Sequence, residues 1–178
     1  MSTRRRVVVT GIGLVTPLGF DEETLWQNLL NGNTAIDRLT TIDTEPYKVK
    51  IGAEVDSDAL NAALDDLGIK HMDRCVDMAL VSAASALKDA GVLEGGKAEE
   101  PFAAGTIFGT GLGCSHSSWE AFLRFQERGF RGIRPTTVPR CMANAISAQV
   151  SLRYKLTGPN YIIACACSSA STAIGQAF

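Results

Sequence analysis

The junction between residues 161 and 177 constrains this chain more than any other stretch. Tyr161-Ile162-Ile163-Ala164-Cys165-Ala166 is apolar and β-branched in its first half, the pattern of a short buried strand. Cys167-Ser168-Ser169-Ala170-Ser171-Thr172-Ala173-Ile174-Gly175-Gln176-Ala177 follows at once, rich in small residues that can wind into a helix. A cysteine at such a strand-to-helix junction lies close to unpaired backbone N–H groups and to the positive end of the helix dipole. Both stabilise a thiolate and lower its pKa. The same N–H groups can hold the oxyanion formed when that thiolate attacks an acyl carbonyl. The alternative is a free cysteine packed as a small hydrophobe.

Elsewhere the pattern alternates strand and helix, which predicts an α/β sheet with helices on both faces. Arg6 to Thr10 reads as a strand ended by Gly11 and Gly13. Asp21 caps a helix over Glu22–Leu30, where Leu25 and Leu29, and Trp26 and Leu30, fall four apart. Residues 33–70 read as an insertion with a short strand in Tyr47–Val55 and a short helix over Asp58–Leu67. The strongest helix signal is Asp73 to Ala90, with Val76, Leu80, Ala83, Leu87 and Ala90 on one face and Gly91 as its stop. Gly95–Pro101 is a polar loop, Phe102–Gly109 a second core strand and Asn144–Tyr154 a further helix.

Composition excludes several classes. With 178 residues, 46% hydrophobic and 20% charged, the chain suits one globular domain. A formal net charge of −2 leaves no nucleic-acid footprint. Five cysteines without CxxC spacing or a long apolar leader predict reduced thiols and a cytoplasmic setting. Residues 156–178 lack charge, but Gly158, Pro159, Asn160 and four closely spaced Ser/Thr argue for a buried strand and helix over a membrane span.

Four segments, taken in order, resemble the elongating β-ketoacyl-acyl carrier protein synthases of the thiolase superfamily. They are Arg5 to Gly19, Gly109-Thr110-Gly111-Leu112-Gly113, Val138-Pro139-Arg140-Cys141-Met142-Ala143-Asn144-Ala145, and Gly158 to Ala170 with Cys167 at its centre. The resemblance covers essentially all of residues 4–178. It implies two similar halves stacked as five αβαβα layers, of which residues 1–178 supply an incomplete first half. It also implies decarboxylative condensation with malonyl-acyl carrier protein in fatty acid or polyketide elongation, by a homodimeric acyltransferase with neither cofactor nor metal. The nucleophile falls on Cys167, and Cys165 occupies a position that is usually not cysteine. Leu112 matches an apolar gate between nucleophile and acyl tunnel, and Thr137 a position that often reaches the partner subunit's tunnel. Beside that reading, core packing after a strand accounts equally for Leu112.

In such enzymes two histidines and a lysine of the second half promote loss of CO2, and none of these can be assigned here. His71 reads as a surface or capping residue and His116 as a loop residue. Arg128, Arg131, Arg134 and Arg140 form a sparse basic stretch that would suit an acidic carrier protein or a phosphopantetheine phosphate, or simply a solvated loop face. Two other readings stand beside this one. A non-catalytic fragment or subunit of the same fold fits the same motifs. Val9-Thr10-Gly11-Ile12-Gly13 could open a dinucleotide-binding unit, although the third glycine is missing and Pro17 suits a following helix poorly.

Overall fold

A computed structural model describes residues 6–93 and 103–178. Residues 6–15 have no regular secondary structure, Val7, Val8 and Val9 are exposed, and no described strand pairs with them. The expected first strand is thus corrected: its β-branched run has no neighbour among the described residues to complete a ladder. Its glycines have a different task. A Cβ on Gly11 would sit 2.2 Å from the Ala86 carbonyl oxygen, and one on Gly13 would sit 1.9 Å from that of Ser82. The Ile12 N–H donates to Asp89 at 2.9 Å. Residues 11–13 therefore lie flat on a helix backbone, which removes the dinucleotide-turn reading.

Helix α1 (Glu22–Leu30) is capped as expected, with the Thr24 N–H donating to Asp21 at 2.8 Å. Two short antiparallel strands, β1 (Ile36–Arg38) and β2 (Ile51–Ala53), make up the insertion's sheet, and α2 (Ser57–Asp66) follows with Asp56 as its cap. Helix α3 (Arg74–Asp89) runs from the Asp73 cap to Gly91, whose φ of 69° suits a residue without a side chain. The β3 strand (Thr106–Gly109) is shorter than Phe102–Gly109, and its expected beginning, like the loop Gly95–Pro101, falls outside the described residues.

Helix α4 (Ser115–Arg128) has no counterpart in the sequence reading. A 3-10 turn, Gly129–Gly132, and the short α5 (Thr137–Cys141) lead to α6 (Ala145–Arg153). Strand β4 (Asn160–Ile163) pairs in parallel with β3, Thr106 opposite Asn160 and Gly109 opposite Ile163. Helix α7 (Ser169–Ala177) ends the chain.

The core forms where α3 meets α6. Val76, Leu80 and Ala84 pack with Ala145, Ile146 and Val150, and Phe108 and Ile162 lean on the same cluster from the sheet. Tyr154 is fully buried and its hydroxyl donates to the Leu80 carbonyl at 2.9 Å, so the largest core side chain carries no unpaired polar atom. Alternation along β3 puts Phe108 toward α6 and Gly109 toward α7, one helix for each face. Ser147 and Asn160 bond each other, Oγ to Oδ1 at 2.8 Å and the amide to the Ser147 carbonyl at 3.1 Å, locking β4 to α6.

Candidate active site

Both parallel strands end at the same edge, where ligand sites of α/β sheets form. The Thr110 N–H continues the ladder to Ile163 at 2.9 Å, and each chain then turns. After β4 the turn is sharper than the sequence suggests. The strand stops at Ile163, Ala164 and Cys165 leave it without regular structure, Cys165 at ψ 50°, and Ala166–Ser168 form a single 3-10 turn before α7. Cys167 therefore stands two residues ahead of the α-helix instead of opening it. Ala166 has a φ of 52°, a left-handed conformation that costs a residue with a Cβ roughly 1–2 kcal/mol. That bend lifts Cys167 off the strand line, and its side chain is exposed. Among the described residues Cys167 is not packed as a small hydrophobe.

Ser169 holds the turn in place. It is buried, its Oγ accepts from the Cys165 N–H at 2.8 Å, and it lies within hydrogen-bonding distance of the Thr110 carbonyl (2.9 Å) and the Ala166 carbonyl (2.7 Å). Its single proton serves one of those carbonyls at a time. Gly109 makes the approach possible, because a Cβ there would meet the Ser169 carbonyl carbon at 2.3 Å. The two turns are thus bolted together through one hydroxyl and one missing methyl group. Sequence reasoning missed this role of Ser169, since nothing local separates it from Ser168 or Ser171.

Cys165 is the second exposed thiol. Ser168 Oγ donates to its sulfur at 3.3 Å and Thr172 Oγ1 lies at 3.7 Å. The Ser168 hydroxyl first, and that of Thr172 next, hold its pKa below the ordinary thiol value. The half-buried Cys75 and the buried Cys114 behave oppositely. Burial, reinforced by the Asp73 carboxylate, pushes Cys75 far up, and burial raises Cys114.

Leu112 sits on the companion turn, two residues beyond Thr110, and is 86% exposed, so it packs in no core of the described residues. Gly113 has a φ of 66°, and its N–H donates to Thr110 Oγ1 at 3.0 Å. Thr137 lies apart from this edge. It starts α5, accepts from the Arg134 N–H at 3.0 Å, and lines a small cavity of about 80 Å³ with Ser117, Arg124, Arg140 and Cys141. Arg128 ends α4, Arg131 is in the 3-10 turn and Arg134 follows it, all three exposed on one short stretch. His71 is half exposed, its Nδ1 3.4 Å from Asp77. His116 is corrected from loop to helix: it lies on the first turn of α4, Nε2 3.6 Å from Glu120. Among the described residues no helix is long and apolar enough to cross a membrane.

This arrangement is shared with known proteins. The ishigamide ketosynthase/chain length factor superposes with a TM-score of 0.73 at 25% identity, over 91% of this chain and 40% of that one. The AntDE:AntF assembly, a type II polyketide acyl-carrier protein in complex with its ketosynthase, gives 0.77 at 21% identity over 97% of this chain and 41% of that chain. The fold is therefore the thiolase-like fold of the ketosynthases. Residues 4–178 match the family described as beta-ketoacyl synthase, N-terminal domain, and the chain belongs to that family. It is 34% identical over 178 residues to the 3-oxoacyl-[acyl-carrier-protein] synthase 2 of Staphylococcus aureus strain N315, and 34% over 180 residues to that of Rhizobium meliloti strain 1021. It spans 42% of the length of each.

Proposed function

We propose that the chain is the nucleophile-bearing part of a β-ketoacyl-acyl carrier protein synthase, an acyltransferase of fatty acid or polyketide elongation. The observation that carries this reading is Cys167, exposed on the strained Ala166 turn at the carboxyl edge of two parallel strands. The Cys167 thiolate attacks the thioester of an acyl carrier protein, the carrier thiol leaves, and the acyl chain stays on Cys167. Loss of CO2 from a malonyl extender then supplies the carbanion that attacks the acyl-cysteine carbonyl and frees the thiolate. The Cys167 backbone N–H is one donor to the oxyanion.

Leu112, exposed on the turn that follows β3, gates the acyl tunnel. Thr137 serves the tunnel of a second copy in a homodimer. Arg128, Arg131 and Arg134 receive the acidic carrier protein and its phosphopantetheine phosphate. Residues 1–178 form part of the first half of the enzyme, and the groups that promote decarboxylation belong to the remainder, since His71 pairs with the buried Asp77 and His116 with the half-exposed Glu120. The relatives are named for this synthase activity, which supports the reading.

The test uses the full-length protein, acyl carrier protein charged with a radiolabelled acyl group, and malonyl-carrier protein. Label should become covalently attached at Cys167, and Cys167→Ala should abolish both attachment and product. Residues 1–178 alone should give no condensation product. Undiminished condensation in Cys167→Ala would refute the proposal.

A further inference from the structure

Away from the exposed thiols, α3 and α4 bring their N-terminal ends together over a second cluster. Asp73 caps both helices at once: its Oδ1 accepts from the Cys75 N–H at 3.1 Å, and its Oδ2 accepts from the Ser117 N–H at 2.8 Å. Cys75 is the second residue of α3, and Cys114 is the residue before α4. Their sulfurs stand 3.8 Å apart. One donor atom from each of Asp73, Cys75 and Cys114 lies within 4.8 Å of the others.

We infer that Asp73, Cys75 and Cys114 form a binding site for a thiophilic divalent cation of the zinc type. Two sulfurs, each roughly 2.3 Å from a tetrahedral ion, are separated by about 3.8 Å, and the cluster already has that edge. A disulfide would need the sulfurs to close to roughly 2.05 Å. The carboxylate is fixed by two backbone N–H groups, one bond to each oxygen, leaving a lone pair on each for a metal. Ligating carboxylates are oriented in this way by outer hydrogen bonds. Two thiolates and a carboxylate around a divalent ion leave one net negative charge. Two helix N-termini face it, and Arg140 lies close enough to act on Cys114 electrostatically.

The fourth position falls to water or to Cys141, which also interacts electrostatically with Cys114. Ser117 and Cys141 line the adjoining cavity, and half-buried Cys75 gives a second way in. The ion has a structural task, separate from the condensation chemistry. It clamps the start of α4, and with it the turn that carries Leu112, to α3.

The test takes the full-length protein carrying Cys165→Ser and Cys167→Ser, so that no exposed thiol of this chain competes. Titration with cobalt(II) should show a thiolate-to-cobalt charge-transfer band that saturates at one equivalent and is displaced by zinc(II). Cys75→Ser and Cys114→Ser should each remove most of it. Cadmium NMR on the protein with both buried thiols intact should place the ion among at least two sulfurs, independently of how those variants fold. No band at stoichiometric cobalt, or a band untouched by Cys75→Ser, would overturn the inference. So would a cadmium shift characteristic of oxygen ligation. None of these readouts depends on condensing activity, so the site and the proposed function can fail separately.

Discussion

Two thiol pairs, Cys165/Cys167 and Cys75/Cys114, occupy opposite environments in the same small chain. The first stands on an exposed turn among hydroxyl groups, at the open edge of β3 and β4. The second lies at the base of two helices against a carboxylate, Cys114 being 1% exposed. The chemical group is identical, so the difference is made by the surroundings. Hydroxyl donors ease the charge on Cys165, whereas burial and Asp73 oppose it on Cys75. An open turn thus leaves sulfur accessible, and a capped helix base holds sulfur where burial and a carboxylate oppose its charge.

Reactivity gives the largest contrast. Under limiting iodoacetamide near neutral pH, Cys165 and Cys167 should be alkylated roughly a hundredfold or more ahead of Cys75 and Cys114, because both are exposed while burial keeps the Cys75 and Cys114 thiols protonated. Peptide mapping decides this. First reaction at Cys75, Cys114 or Cys141 would break the contrast.

The next effect sharpens what the open edge is for. In the full-length enzyme Leu112→Phe should slow long acyl primers by roughly ten- to a hundredfold, from ~1–3 kcal/mol of overpacking, while sparing acetyl transfer to Cys167. Acylation rates across a primer series would show it. An equal loss at every length would mean that Leu112 does not gate the tunnel.

Ser169→Ala tests how the open turn is held. Leaving the Cys165 N–H and the Thr110 carbonyl without their partner should cost about 1–3 kcal/mol, read as a melting-temperature drop of about 2–4 °C per kcal/mol. Acylation of Cys167 should fall with it, while alkylation of Cys75 and Cys114 in the folded protein stays slow. An unchanged melting temperature and acylation rate would show that the hydroxyl holds nothing.

The smallest effect lies outside both pairs and serves as their control. Glu54 accepts from the Thr40 N–H at 2.8 Å and Thr40 Oγ1 at 2.9 Å, and from the backbone and hydroxyl of Thr41. The Thr41 hydroxyl first, then the Thr40 N–H, lower its pKa from 4.5 to about 2. A depressed folded value means that the stabilisation is complete above 4.5 and is lost as pH falls toward 2. The stability gap between the parent and Glu54→Gln should therefore be flat near neutrality and narrow in that acid window. A gap independent of pH would show that the carboxylate charge is not what Thr40 and Thr41 bind.

Much of the helical frame was legible in residues. Asp21 and Asp73 announced α1 and α3, and the apolar spacing of Val76, Leu80 and Leu87 marked the face that α3 turns to the core. Helix α4 went unread although Trp119, Phe122 and Leu123 stand at the i, i+3, i+4 spacing of one helical face. What its start lacks is a capping side chain of its own, since Cys114 precedes the helix and makes no cap bond, and Trp119 and Phe122 stack on each other at 5.7 Å with half or more of each exposed. The expected first strand failed for another reason. Val7-Val8-Val9 has strand character in full, but a strand needs a neighbour, and no described segment pairs with it.

The sequence by itself determined that a thiol follows a short apolar strand and precedes a small-residue helix, because strand propensity, helix propensity and their order are local properties. Only the tertiary structure decided which sulfurs are exposed, that Ser169 joins two turns 59 residues apart, and that Asp73 caps a helix beginning 42 residues away. Those outcomes depend on packing of α3 against α6 and of α7 against β3, and on distances across the chain that no window of neighbouring residues contains.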